Sequence, residues 1–211
     1  MREGSHNLKG WAVSILLAFI VNAGFGQTVR FSSFFDSNNG AGLLERVVRM
    51  DNGNLMAVGS NLNPANGNRQ DGHHVVVDSQ GNLLSEYEIV FPGMTYNTQS
   101  LIQTSSGSIF SSGYFCDYTI ESPGYCDFYF ARLDETGDTL FTKVIERPDT
   151  SELLLSMVET RPNKIMLIGW TYNDTTDADA DLLFITVDTL GNELNRVVFG
   201  GGVQTMCTQH V

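Results

Sequence analysis

The chain is short of basic side chains, of cysteine and proline, and of any long apolar run. With 12 Lys and Arg against 24 Asp and Glu, it carries a net charge of −12. It therefore lacks the clustered cations that hold phosphate backbones or anionic headgroups, which argues against nucleic acid and membrane surfaces as partners. The longest apolar run, residues 11–21, falls well below the roughly 20 residues a spanning helix needs. Membrane insertion is not expected. No stretch after residue 27 sustains apolar residues at i, i+3, i+4 and i+7, so a helical fold is not expected either. There is no nucleophile elbow, phosphate loop, HExxH or CxxC, and the expectation is a protein that is not an enzyme.

What the first residues do contain is a leader. Arg2 and Lys9 precede the apolar run, and the small residues Ala23, Gly24 and Gly26 follow it, the layout of a secretory signal peptide over residues 1–26. Cleavage after Gly26 and cleavage after Ala23 both fit. The expectation is a secreted or cell-surface protein, and loss of Arg2, Lys9 and Glu3 would make it one unit more negative. The remaining chain is long enough for one domain with a substantial core.

The strongest feature is a stretch present three times. DGHHVVVDSQG begins at Asp71, DFYFARLDETG at Asp127 and DLLFITVDTLG at Asp181. Each has an Asp ten residues before a Gly, a second Asp three before it, and an apolar run between. Gly59, Gly113 and Gly169 recur in step with them. Around each copy the sequence reads as four strands: for the first, residues 43–49, 55–59, 71–78 and 83–90, with a turn at 51–54 and a polar loop over 60–70. The second copy places strands at 101–103, 109–114 and 139–145, and the third at 153–158, 165–170 and 193–199, each with its shared apolar stretch as third strand.

A four-stranded sheet of this size cannot bury both faces alone, and residues 182–185 and 128–131 are apolar without alternation, as in strands covered on each side. Radial stacking supplies that cover, so the expected fold is all-β, a partial β-propeller; a β-sandwich would use the same strands but would not explain the period. The expected parts are an N-terminal strand and loop over 27–42, blades over 43–97, 98–151 and 152–199, and the start of a truncated fourth repeat over 200–211. Three blades do not close a ring, so the chain is expected to be the N-terminal fragment of a larger propeller.

The unit DADLLFITVDTLGNELNRVVFGGG resembles that of secreted bacterial β-propeller-like tandem-repeat proteins, over residues 43–202 and best in the third repeat. The first repeat departs from it, with His73-His74 for aliphatic residues and Pro92-Gly93 for Gly-Gly. Such proteins often carry a C-terminal sorting domain for type IX secretion, which nothing here matches. The resemblance implies a fold and export, and no activity.

Candidate sites are few. Asp174, Asp177, Asp179 and Asp181 could supply oxygen ligands to Ca²⁺, or form a solvated acidic loop; the EF-hand pattern fails at Leu182 and Asp188. Cys116 and Cys126 flank a nine-residue segment and fit a disulfide, with free thiols or a metal pair as alternatives, and Cys207 is left over. Asp78, Asp134 and Asp188 read as turn formers. His73-His74 could offer imidazole to a metal or to acid–base work, but no Glu or Cys lies at ligand spacing. Ser60, Tyr114 and Trp170 follow the shared glycines, where an aromatic could stack on a sugar or pack between blades. The long loops, 60–70, 115–126 and 171–180 within repeats and 91–98 and 146–152 between them, all leave one end of the sheets. Loops on a rigid scaffold carry recognition. The functional expectation is a binding or scaffold module for protein or polysaccharide. Its alternative is part of an extracellular carbohydrate-active hydrolase or lyase completed by residues of further blades.

Overall fold

A computed structural model describes residues 42–90, 93–117, 125–147, 150–172 and 180–200. The leader, the strand and loop expected over 27–42 apart from Gly42, and residues 201–211 with Cys207 lie outside them. The described chain is all-β, twelve strands and one short 3₁₀ turn, in three antiparallel four-stranded sheets whose strand order follows the sequence. Sheet 1 holds β1 (Gly42–Arg49), β2 (Leu55–Asn63), β3 (Arg69–Val77) and β4 (Leu83–Ile89). Sheet 2 holds β5 (Met94–Gln103), β6 (Ile109–Asp117), β7 (Cys126–Leu133) and β8 (Thr139–Ile145). Sheet 3 holds β9 (Ser151–Arg161), β10 (Lys164–Tyr172), β11 (Asp181–Asp188) and β12 (Glu193–Phe199).

Each shared Asp-x-x-Gly joins the third strand to the fourth. Gly81, Gly137 and Gly191 donate their N–H to the carbonyls of Asp78, Asp134 and Asp188, with φ of 88°, 88° and 74°. Only glycine enters that left-handed region without strain. The Asp side chain caps the same turn: Oδ1 accepts from Gln80 and Asn82 N–H in the first copy, Thr136 and Asp138 in the second, Leu190 and Asn192 in the third. These three aspartates are turn formers.

Sheet 2 is packed on both faces. Tyr96, Leu101, Ile109, Tyr129, Ala131 and Leu133 form one core with Met50, Met56, Val58 and Val76 of the sheet 1 side. Phe110, Phe128, Phe130 and Ile145 form another with Leu154, Met157, Ile165, Leu167, Leu183, Ile185 and Val187 of sheet 3. Ring pairs run along both cores, Tyr96 on Tyr129 at 4.3 Å and Phe110 on Phe130 at 4.9 Å.

Two expectations change. The third strand of sheet 3 is not buried on both sides: Leu183, Ile185 and Val187 face sheet 2, while Leu182 is 37% exposed and Phe184 and Thr186 are half-buried. An unbroken apolar run therefore records an apolar outer face, not cover already in place. The segment read as a polar loop, 60–70, is mostly strand, since β2 continues to Asn63 and β3 starts at Arg69 around the 3₁₀ turn Pro64–Asn66. Polar Ser60 and Asn61 enter the ladder because their backbones pair with Gly72 and Asp71. In the same way β5 starts at Met94, inside the expected inter-repeat loop, β6 reaches Asp117 and β10 reaches Tyr172.

Gly59, Gly113 and Gly169 lie where the first and second strands of each sheet come closest, beside a register shift in the pairing. A Cβ at any of them would fall against the carbonyl of Leu43, Asn97 or Leu153. Gly113→Ala is therefore expected to cost about 2 to 3 kcal/mol, because the ladder must shift to admit a methyl group. Gly53, which has φ of 88° but nothing within 4 Å of a Cβ, should lose only about 1 kcal/mol as Ala. Urea unfolding of the two variants checks this; equal losses would contradict the close-approach account.

Candidate functional site

The long connections leave one end of the sheets, and there sheets 2 and 3 gather most of the unusual polar chemistry. Cys116 and Cys126 are direct cross-strand partners of β6 and β7 and form a disulfide, with Cα atoms 4.1 Å apart. The bond closes a short loop at the point where β7 begins. Cys126 N–H also donates to Ser151 Oγ at 3.2 Å, tying that point to the start of β9.

Next to it stand four carboxylates and one guanidinium. Asp127 follows the disulfide, Glu146 follows β8, Glu152 lies in β9 and Glu193 in β12. Arg196 donates to both oxygens of Glu193, with Nη2 2.9 Å from Oε2, and pairs through Nη1 with Glu152 Oε1. Glu152 is fully buried and its Oε2 has no hydrogen-bond partner. Burial pushes the Glu152 carboxyl up, against the pull of Arg196 and with some help from Asp127 and Glu193. Burial alone would lower the Arg196 guanidinium, but Glu193 and Glu152 more than offset that, and it is held in its charged form. Asp127 is pushed up to about 6, by burial first and by the charge of Glu146, with the N–H of Arg147 and the charge of Arg196 pulling the other way. The cluster holds more negative charge than one arginine can balance.

The other sequence candidates are dispersed. Asp71, at the start of β3, is buried and accepts from Asn63 and Asn66 side chains, which fold the 3₁₀ turn back onto it. Asp127 and Asp181, its counterparts, meet the chain as it leaves the fourth strand, at Arg147 N–H and beside Gly200. Asp174, Asp177 and Asp179 lie outside the described residues. Among the described residues no three His, Cys, Asp or Glu side chains converge as metal ligands.

His73 and His74 point to opposite faces of β3 and do not share a site. His73 Nε2 lies 2.7 Å from Glu86 Oε1, and His74 is buried with Nδ1 3.1 Å from the Gly137 carbonyl. Burial lowers His74 to about 4, so the ring is neutral and donates from Nδ1 to that carbonyl. It is a docking contact between sheets 1 and 2. Ser60 is buried and Tyr114 and Trp170 are half-buried in their strands; Asn97 Nδ2 donates to Tyr114 Oη at 3.3 Å, and Trp170 pairs with Leu153 and Leu182. At Asp78, hydrogen bonds from Asn82 lower the carboxyl; at Asp134 and Asp188, burial raises it but the hydrogen bonds within the turn prevail.

The buried Glu152–Arg196 pair had no distinct mark in the sequence. Glu152 precedes three leucines and Arg196 precedes two valines, and their strands, β9 and β12, are the two edges of sheet 3. Among the described residues no helix is long and apolar enough to cross a membrane. No protein-family model matches the chain, and no curated protein matches it.

The Asp127 shift makes stability depend on pH. Its folded carboxyl titrates near 6 against 3.8 in the ordinary state, so folding favours the protonated form. That contribution is fully present below about pH 4 and is lost as pH rises toward 6. Because the group is half-buried and screened, the change is about 1 kcal/mol. Asp127→Asn should remove it and raise stability at neutral pH by a similar amount. Urea midpoints of both proteins on either side of this window test the assignment, which fails if their pH dependence is the same.

Proposed function

We propose that the chain is an exported β-propeller-type module of the bacterial tandem-repeat kind, its three sheets consecutive blades of a larger ring, and that it binds protein or polysaccharide through the long-loop end. It carries out no catalysis of its own in this reading. The observation that supports it is the direction of the stacking. Met56, Phe110 and Met166 occupy equivalent positions in the three repeats. Met56 packs in the core between sheets 1 and 2, and Phe110 in the core between sheets 2 and 3. Met166 lies on the remaining face of sheet 3, between Ile165 and Leu167, which both turn inward. His74, Phe130 and Phe184 repeat the same progression. Each sheet thus offers one face to its successor, and the face of sheet 3 that would receive the next carries Val158, Leu182 and Phe199, exposed at 44%, 37% and 52%. A head-to-tail arrangement of this kind either closes into a ring or continues. In this reading the sequence TVRFSSFF, residues 28–35, is the extra outer strand of the last blade, and a cell-surface or secreted setting suits the disulfide.

A second reading draws on Asp127. A carboxyl raised to about 6 beside other carboxylates is the arrangement by which glycan hydrolases and lyases make a general acid. The same experiment separates the two. The full chain is incubated with soluble polysaccharides of defined composition and with candidate surface proteins, retention is measured, reducing ends are assayed, and bound ligand is cross-linked. Retention without released ends, with cross-links near residues 94, 117, 125 and 146, is the expected result. Released reducing ends that disappear in Asp127→Asn would favour the enzyme, and cross-links at the tight turns would overturn the long-loop reading.

A further inference from the structure

Beside the acidic cluster, at the same end of sheet 2, Met94 and Tyr96 of β5, Phe115 of β6, and Thr142, Val144 and Glu146 from β8 onward line a cavity of about 270 Å³. Residues 94 and 96 are two apart, as are 142, 144 and 146, and Tyr96 pairs with Phe115, so all six project from one face of the sheet. The floor is rigid, since Tyr96 stacks on Tyr129 at 4.3 Å and on Phe115 at 6.2 Å. Val144 and Glu146 are exposed, so the cavity opens to solvent with a carboxylate at its rim.

We propose that this cavity receives a lysine or arginine side chain of a partner protein, with its stem along Tyr96, Phe115 and Val144 and its cation at Glu146. The inference rests on the long-loop end being the recognition face, and within that reading it selects protein over polysaccharide. Size is the first reason: the volume falls just below the range of about 300 to 1,000 Å³ that small-molecule sites occupy, which suits one side chain and not a row of sugar rings. Polarity is the second. The lining offers two hydroxyls, those of Thr142 and of the buried Tyr96, and one carboxylate, Glu146, so most hydroxyls of a sugar would press against Met94, Phe115 and Val144 without partners. A long basic side chain needs an anchor only at its tip and covers apolar walls with its methylenes. Charge is the third. Glu146 and Asp127 act on one another, and the protein is strongly acidic, so a cation is drawn in and the aromatic floor adds to its attraction.

The test uses the full chain, with the methyl signals of Met94 and Val144 followed by NMR. The probes are a blocked Gly-Gly-Lys-Gly-Gly peptide, the same peptide with norleucine in place of lysine, and a neutral cello-oligosaccharide. The lysine peptide should shift both methyls and bind about fivefold more tightly than the norleucine peptide, as expected of one partly screened ion pair. Glu146 is exposed, so Glu146→Gln should leave the fold intact by circular dichroism and bring the lysine peptide down to the norleucine level. Equal binding of the two peptides, shifts of the same methyls by the oligosaccharide, or no shift with any probe would overturn the assignment. Those results would leave the long-loop reading standing wherever a partner still cross-links at that end. Cross-links confined to the tight turns would fail that reading instead.

Discussion

A four-stranded sheet has two faces, and the rest of this structure follows from how each finds cover. Sheet 2 finds cover on both sides, with aromatic residues in each core: Tyr96 and Tyr129 toward sheet 1, Phe110, Phe128 and Phe130 toward sheet 3. Fully burying one such side chain stabilises by about 1.5 to 3 kcal/mol, so these two cores outweigh any single polar contact in the protein. The polar contacts instead set the geometry. The Asp-x-x-Gly turns of sheets 2 and 3 each lie on the sheet before. A Cβ on Gly137 would touch His74, Val76 and Tyr87, and one on Gly191 would touch Phe130 and Lys143. His74 and Tyr87 are the repeat counterparts of Phe130 and Lys143, so one docking contact is used twice. The side chains that receive it change, from a neutral imidazole donating to a carbonyl to a phenyl ring in van der Waals contact.

The glycines bear two different burdens, which their recurrence alone does not separate. Those of the Asp turns have positive φ and end the third strand. Gly59, Gly113 and Gly169 are in ordinary extended backbone, and glycine is required there because the neighbouring strand's carbonyl occupies the space of a side chain. Both kinds appear at the repeat period, because both serve one geometry repeated three times.

That period made the strand order and the turns legible from the residues. β8 and β12 fall where alternation and the turn glycines place them, and Asp78, Asp134 and Asp188 cap the turns they were read to form. Strand ends were less legible. Ser60, Asn61 and Thr171 look like loop residues by composition, yet they are buried in ladders because their partners across the sheet, Gly72, Asp71 and Asp181, hold the pairing. The exposed side of β11 was misjudged for a related reason. An apolar run states what a strand could bury, and only the presence of a neighbour decides whether it does. The cysteine pair was visible as two residues flanking a loop, while the Glu152–Arg196 contact spans 44 residues of sequence and joins β9 to β12, the two edge strands of sheet 3. The cavity was hidden too, since it draws on β5, β6 and β8 and needs the register of all four strands.

The two ends of the sheets therefore have different physical characters. At the tight-turn end the carboxylates of Asp78, Asp134 and Asp188 are each surrounded by donors from their own turn and sit below their ordinary range. At the other end Asp127 and Glu152 are raised, one Glu152 oxygen has no hydrogen-bond partner, and one arginine serves two glutamates. A buried carboxylate short of partners costs stability that an apolar residue of similar volume would not. Nothing in the packing of the two cores calls for it, since both are complete without these side chains. Uncompensated negative charge at the end where the long connections emerge, beside an open cavity with an aromatic floor, is an arrangement that an incoming cation would relieve. The energetic debt of the fold and its means of recognition then have a common origin, the excess of carboxylates around Arg196 and Glu146.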